Sequence, residues 1–233
     1  MTRVSRKINK QHYIIVGIIT ALIFLLGISF GLIIDYERVQ FVEKENQLQK
    51  VNYDSLQLQY LYLSYIPSNN ETCPIIRVAL EDSIAQLAES LDAVERYKKD
   101  SNINEAEYAG IEREYLIDNL RYWMFSRRLK DACNEDVVNI LYFFSLDRCD
   151  ICPNQGTILT YFKKKLEDKL LVFPINMDLE KDEQFIKILK LQYNITTLPS
   201  LVINGQKYEG VVSKDELAVI ICAHTLNKEK CLI

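Results

Sequence analysis

Val137-Val138-Asn139-Ile140-Leu141-Tyr142-Phe143-Phe144 leads within a few residues into Arg148-Cys149-Asp150-Ile151-Cys152. The first run is short, apolar and bounded by polar residues, so it reads as a buried strand. The second holds a Cys-x-x-Cys pair, whose sulfurs lie close enough to form and break a small disulfide ring. Behind it, Gln155 to Leu170 reads as a helix whose lysine-rich end suits a helix C-terminus. Where a strand gives way to a helix, the helix N-terminus stabilises the thiolate of Cys149, which is the attacking form. The residues point to thiol–disulfide exchange without giving its direction.

Working outward toward the C-terminus, Leu171 to Ile175 reads as a second strand, Glu180 to Tyr193 as a second helix and Ser200 to Ile203 as a third strand. Thr197-Leu198-Pro199 opens that third strand. Asn204-Gly205 is a two-residue hairpin signal leading to Gln206–Val211. Ser213 can cap a last helix running to about His224. The order is β-α-β-α-β-β-α, an α/β domain.

That order, with Cys-x-x-Cys after its first strand and a proline ahead of the hairpin, resembles the thioredoxin fold family over residues 136–224. The resemblance implies that Cys149 is the nucleophile and that Cys152 resolves the mixed disulfide. It also implies that Pro199 is a cis-proline lying against the pair. The backbone preceding that proline, at Leu198, then pairs with a substrate chain. This chain departs from thioredoxin in detail. Arg148-Cys149-Asp150-Ile151-Cys152 stands where thioredoxin has Trp-Cys-Gly-Pro-Cys. Phe143 occupies the position of thioredoxin's buried Asp, and Pro174 that of its nearby Lys, so the pair that assists proton transfer there is missing. Arg148 should favour the Cys149 thiolate and Asp150 oppose it. Pro153 suits a first helical turn and removes a backbone N–H that could have faced the sulfur.

At the N-terminus, Tyr13 to Ile34 carries no charge, and about 20 apolar residues suffice to cross a bilayer core. A buried helix of a soluble protein would show a polar face, and this run shows none. A cleaved signal peptide competes, but its apolar region would be shorter and would close on a small-x-small site. Leu32-Ile33-Ile34-Asp35 fits an uncleaved signal anchor better. Arg3, Arg6, Lys7 and Lys10 precede the span, whereas Asp35, Glu37 and Arg38 follow it. The positive-inside rule then makes residues 1–12 a cytoplasmic tail and sets everything after Asp35 outside the cytoplasm, in a single-pass membrane protein. Gly27-Ile28-Ser29-Phe30-Gly31 is a small-xxx-small pattern able to pack on another helix.

Residues 35–66 contain no Gly or Pro and read as a juxtamembrane helix. A seven-residue stepping from Val39 to Leu63 has too few apolar positions for a sustained coiled coil. Residues 67–135 read as a helical hairpin. One helix starts near Pro74 with an apolar stripe of Ile76, Leu80, Ile84, Leu87, Leu91 and Val94. After a turn at Lys98–Asn102, another starts near Asn104, with Glu107 in capping-box spacing, and carries Tyr122-Trp123-Met124-Phe125 before Cys133. The aromatic cluster is read as packing, with a binding surface as the competing reading.

Six cysteines make an even set in a region expected to permit disulfides. Antiparallel helices bring Cys73 and Cys133 to one end of the hairpin, where a bridge would close a loop of about 60 residues and contribute about 4 kcal/mol in the chain-entropy model. Two unpaired buried thiols are the alternative. Cys222 and Cys231 are expected to clip the tail, residues 225–233, to the last helix, with a second redox pair as the other reading.

The net charge of −4 and the lack of a long basic stretch exclude nucleic acid as an expected partner. A structural zinc site would need four ligands, and His12 and His224 are the only histidines. Soft thiolates could hold Cu(I), but no methionine or histidine cluster supports it. No cofactor and no metal are expected. The expected partners are the lipid bilayer, protein thiols and disulfides of exported or membrane proteins, and a membrane redox partner. The rival reading is a non-catalytic membrane-anchored scaffold, with Cys149–Cys152 a permanent structural disulfide. Asn70-Glu71-Thr72 and Asn194-Ile195-Thr196 match the glycosylation sequence; a glycan at Asn194 would crowd the Pro199 region.

Overall fold

The structure, a computed structural model, describes residues 10–67, 69, 71–99 and 105–225. The chain divides into two units, Met1–Tyr65 and Ile66–Ile233.

The described residues of the first unit form one helix, α1 (Lys10–Tyr65). The apolar span and the juxtamembrane stretch are continuous because neither Gly nor Pro interrupts the chain after Gly31 until Pro67. The residue ahead of a proline disfavours helical backbone, and α1 stops at Tyr65. Its segment Ile15–Leu32 is long and apolar enough to cross a membrane. The polar side chains inside it fold back on the helix. Thr20 Oγ1 donates to Val16 O at 2.9 Å and Ser29 Oγ to Leu25 O at 2.9 Å. Neither hydroxyl therefore needs an outside partner, as an apolar surrounding demands.

The second unit opens with α2 (Cys73–Lys99) and α3 (Glu105–Cys133). Cys73 and Cys133 are joined, with their Cα atoms 5.3 Å apart, over a small core of Ile76, Leu129 and Ala132. Arg77 pairs with Glu135 at 2.6 Å beside it. The buried stripe of α2 differs from the one expected. Ile76 and Val94 are buried, but Ser83 and Ser90 are the buried residues between them, while Ile84 and Leu91 are about 40 % exposed. Small serines let a neighbouring backbone approach closely, and each hydroxyl is satisfied on its own helix, Ser83 on Leu80 O and Ser90 on Leu87 O. The expected turn at 100–102 and the cap at Asn104 lie outside the described residues.

The remainder forms a four-stranded mixed sheet of β1 (Val138–Phe144), β2 (Leu170–Asn176), β3 (Ser200–Ile203) and β4 (Gln206–Glu209), in the order β2-β1-β3-β4. β1 pairs parallel to β2 and antiparallel to β3, and β3 pairs antiparallel to β4. β1 is covered on both faces, which is why it reads as an unbroken apolar run. Val138, Ile140 and Tyr142 face α4 (Cys152–Leu166) and α6 (Lys214–His224), meeting Leu159, Phe162, Leu217 and Ile221. Leu141 and Phe143 face the other way, onto Leu116, Leu120 and Trp123 of α3 and Ile186 and Leu189 of α5 (Gln184–Gln192). α3 thus both closes the hairpin with α2 and covers one face of the sheet. Pro174 is tolerated because β2 is an edge strand, and its carbonyl accepts from Asn119 Nδ2 of α3 at 3.0 Å. Trp123 and Phe125 are buried; Tyr122 and Met124 pack at the rim of the same core.

Asn204 and Gly205 both take positive φ, 47° and 93°, as a tight hairpin between twisted strands requires. Ser213 Oγ accepts from Glu216 N at 3.3 Å and caps α6. Two helices differ from their expected extents. α4 starts at Cys152 itself, and the stretch read as Glu180–Tyr193 splits into a 3-10 turn, Met177–Lys181, and α5. Glu183 makes the break by accepting from Phe185 N at 3.2 Å as an N-cap.

Candidate functional site

The chain leaves β1 at Phe144, crosses Ser145–Arg148, and enters α4 at Cys152. Cys149 and Cys152 are joined in a disulfide, Cα atoms 5.4 Å apart. Both residues are largely buried, Cys149 at 8 % exposure and Cys152 at 2 %. The N-terminus of α4 has no side-chain cap and no acidic residue in its first turn, so its positive end is not neutralised locally. The Tyr142 hydroxyl donates to Cys152 O at 2.5 Å and fixes the start of the helix against β1. Burial pushes that phenol up to about 12, so it stays protonated at neutral pH.

The loop before Cys149 is held by a residue that no sequence pattern singles out. Asp178 Oδ1 accepts from Ser145 Oγ at 2.6 Å, and its Oδ2 from the amides of Leu146 at 2.7 Å and Asp147 at 3.3 Å. Arg148 Nε reaches Asp178 Oδ1 at 3.3 Å, and a guanidinium N–H donates to Met177 O at 2.9 Å. Arg148 N completes the turn by donating to Ser145 Oγ at 2.8 Å. Burial pushes the Asp178 carboxyl up, but the Ser145 hydroxyl, the two amides and Arg148 outweigh it and hold it below the usual carboxylate value. The expected effect of Arg148 on Cys149 is therefore blunted, because its charge faces a carboxylate. Asp150, the expected opposing charge, is exposed.

The Leu198–Pro199 peptide bond is cis. Pro199 O accepts from Gly210 N at 2.8 Å, and Ser200 Oγ donates to Thr197 O at 2.7 Å. Gln155, one turn into α4 from Cys152, accepts from Val212 N at 2.7 Å and is fully buried. Gln155, Val212, Gly210 and Pro199 thus form a short chain of contacts tying the cysteine helix to the cis-proline turn. Leu198 packs its side chain against the α3/α5 core. Leu146, Ile151 and Val211, from the three segments that build the site, are exposed apolar residues.

Cys222 is also disulfide-bonded; Cys231, its expected partner, lies outside the described residues. Among the described residues no group of three or more His, Cys, Asp or Glu is placed to hold a metal ion. Asn194 is exposed, and Asn70 lies outside the described residues. A cleft of about 210 Å³ opens at the far end of β1, lined by residues including Trp123, Arg127, Lys130 and Asn139, and not at the cysteine pair.

No known protein family matches the chain, and no curated protein sequence does either. Among solved structures, one described as a malarial protein is 19% identical, covering 39% of this chain and 99% of its own, with a TM-score of 0.32. The crystal structure of chloroplastic thioredoxin z is 20% identical, covering 40% of this chain and 81% of its own, with a TM-score of 0.33.

Proposed function

We propose that this chain is a membrane-anchored thiol–disulfide oxidoreductase with a thioredoxin-like domain, acting outside the cytoplasm on exported or membrane proteins. One observation carries the reading. A Cys149–Cys152 disulfide sits where β1 passes into α4, and Gln155 links that helix to the loop that binds the cis-proline turn. Cys149 is the attacking residue, because it precedes the uncapped helix end that favours its thiolate. Cys152 is the resolving one. Leu198 and Pro199 position the substrate chain by backbone contact. The helix through Ile15–Leu32 is the anchor, and the basic residues ahead of it set the N-terminus in the cytoplasm.

In the oxidising direction a substrate thiolate attacks Cys149 Sγ, the Cys149–Cys152 bond breaks, and Cys152 leaves as a thiolate that takes up a proton. A second substrate thiolate attacks the substrate sulfur of the mixed disulfide and releases Cys149. Two substrate thiols become a disulfide, and the pair gains two electrons and two protons. In the reducing direction the Cys149 thiolate attacks a substrate disulfide and Cys152 resolves it. A membrane redox partner with its own disulfide or dithiol returns the pair to its starting state. The exposed apolar side chains of Leu146, Ile151 and Val211 around the pair suit a macromolecular substrate laid across the surface.

The low exposure of both cysteines favours a second reading, a scaffold in which this bridge is permanent. Trapping separates the two. In Cys152→Ala full-length protein, Cys149 should accumulate mixed disulfides with other proteins that dithiothreitol releases; their complete absence would leave the scaffold.

A further inference from the structure

Arg148 stands directly before Cys149, where a cation would stabilise the thiolate, yet its guanidinium is spent elsewhere. It turns to Asp178 and Met177 O, on the segment after β2. Asp178 is 17% exposed against 60% for Arg148, so the carboxylate is the fixed member and the arginine is drawn to it. Asp178 is itself set by Asn176, whose Oδ1 accepts from Asp178 N at 3.0 Å. Its two oxygens take four donors from Ser145, Leu146, Asp147 and Arg148, every residue of the loop. The loop thus has its shape and its charge set by one side chain across a gap of about thirty residues.

We propose that Asp178 is a positioning residue for Cys149: it holds the Ser145–Arg148 loop in place and compensates the Arg148 charge, which limits how strongly the Cys149 thiolate is stabilised. This rests on the exchange reading of the pair. Asp147 and Asp150 flank Cys149 in the chain, and the Tyr142 phenol, which donates to Cys152 O, stays neutral. Asp147 and Asp150 are exposed, so solvent screens them more than it screens Asp178. The helix end of α4 then supplies the main stabilisation, and the Arg148–Asp178 pair trims it. A thiolate less favoured than it would be beside a free arginine makes the reduced pair less stable and the disulfide less oxidising.

The test is the pH dependence of Cys149 alkylation by iodoacetamide in reduced full-length protein carrying Cys152→Ala, with no substrate protein present. Asp178→Asn should raise the acid dissociation constant of Cys149 about threefold, and Arg148→Gln should lower it about threefold, the scale of one partly screened charge. The double variant should return near the starting value, and Asp178→Glu should restore it from the Asn form. Arg148→Gln leaves the Asp178 clamp on the loop intact, so it reports even where Asp178→Asn loosens the fold. Shifts in the same direction for the two single variants, or no shift for Arg148→Gln, overturn the proposal. Cys149 alkylation that shows these shifts while no protein is ever trapped would sink the exchange reading, and with it the purpose of the tuning, but not the coupling of Asp178 and Arg148 to Cys149.

Discussion

The two disulfides resolved on both sides make a direct contrast. Cys73–Cys133 spans 60 residues and clamps the two ends of a helical hairpin over an apolar patch. Cys149–Cys152 spans three and closes a ring within one turn of chain. Bridging a long loop removes much conformational freedom from the unfolded chain, about 4 kcal/mol in the chain-entropy model, whereas a ring this small removes about 2 kcal/mol or less. The first bridge therefore carries folding, and the second can open while the fold persists. The surroundings agree. The hairpin bridge is backed by the apolar cluster of Ile76, Leu129 and Ala132, while the small ring is fixed from outside by Tyr142, Gln155 and the Asp178-held loop. Those contacts hold the backbone around the sulfurs, not the S–S bond, so they survive its cleavage.

Removing each bridge tests that division. Replacing Cys73 and Cys133 together by Ala should lower stability by about 4 kcal/mol in urea unfolding of detergent-solubilised protein. Replacing Cys149 and Cys152 together should cost about 2 kcal/mol or less, and equal losses would erase the contrast. Gln155→Leu should be smaller again, on the order of 1 kcal/mol, since it strands the buried Val212 N–H without its acceptor. It should also slow alkylation or exchange at Cys149 through the displaced cis-proline turn, with the Cys73–Cys133 end unaffected. The smallest effect is that of pH. Asp178 is held below its usual 3.8 in the folded state, so its contribution to stability is complete above that value and fades as pH falls through the depressed one. An NMR titration should show its carboxyl and the Leu146 and Asp147 amides shifting together with a midpoint under 3.8. A midpoint above that would mean the clamp is not made in solution.

How far the sequence goes depends on which forces act. β1, β3 and the Asn204-Gly205 turn are legible because burial and backbone conformation act on consecutive residues. The start of α4 is read late, at Gln155, because an uncapped helix beginning on a cysteine gives no capping signal. The split between Met177–Lys181 and α5 depends on one Glu183 cap inside a helix-like stretch. In α2 the apolar pattern points to Ile84 and Leu91, yet close approach to α3 selects Ser83 and Ser90 for the interface, a choice made by helix distance and not by hydrophobicity. Within the site, Cys149, Cys152 and Pro199 stand out through their chemistry. Asp178 and Ser145 do not, since their partners lie about thirty residues apart and short hydrogen-bonding side chains carry no periodic signal. Arg148 is legible as a charge but not as a paired one.

The proposed exchange requires that the Cys149–Cys152 bridge open reversibly while Cys73–Cys133 stays closed. Titrating the intact protein through a graded glutathione buffer, blocking free thiols at each step and locating the label by mass spectrometry, measures both at once. Cys149 and Cys152 should take up and lose label together, reversibly, over a range where Cys73 and Cys133 remain unlabelled and the fold is unchanged. Reduction of both bridges together, or a Cys149–Cys152 bridge that outlasts Cys73–Cys133, would contradict it.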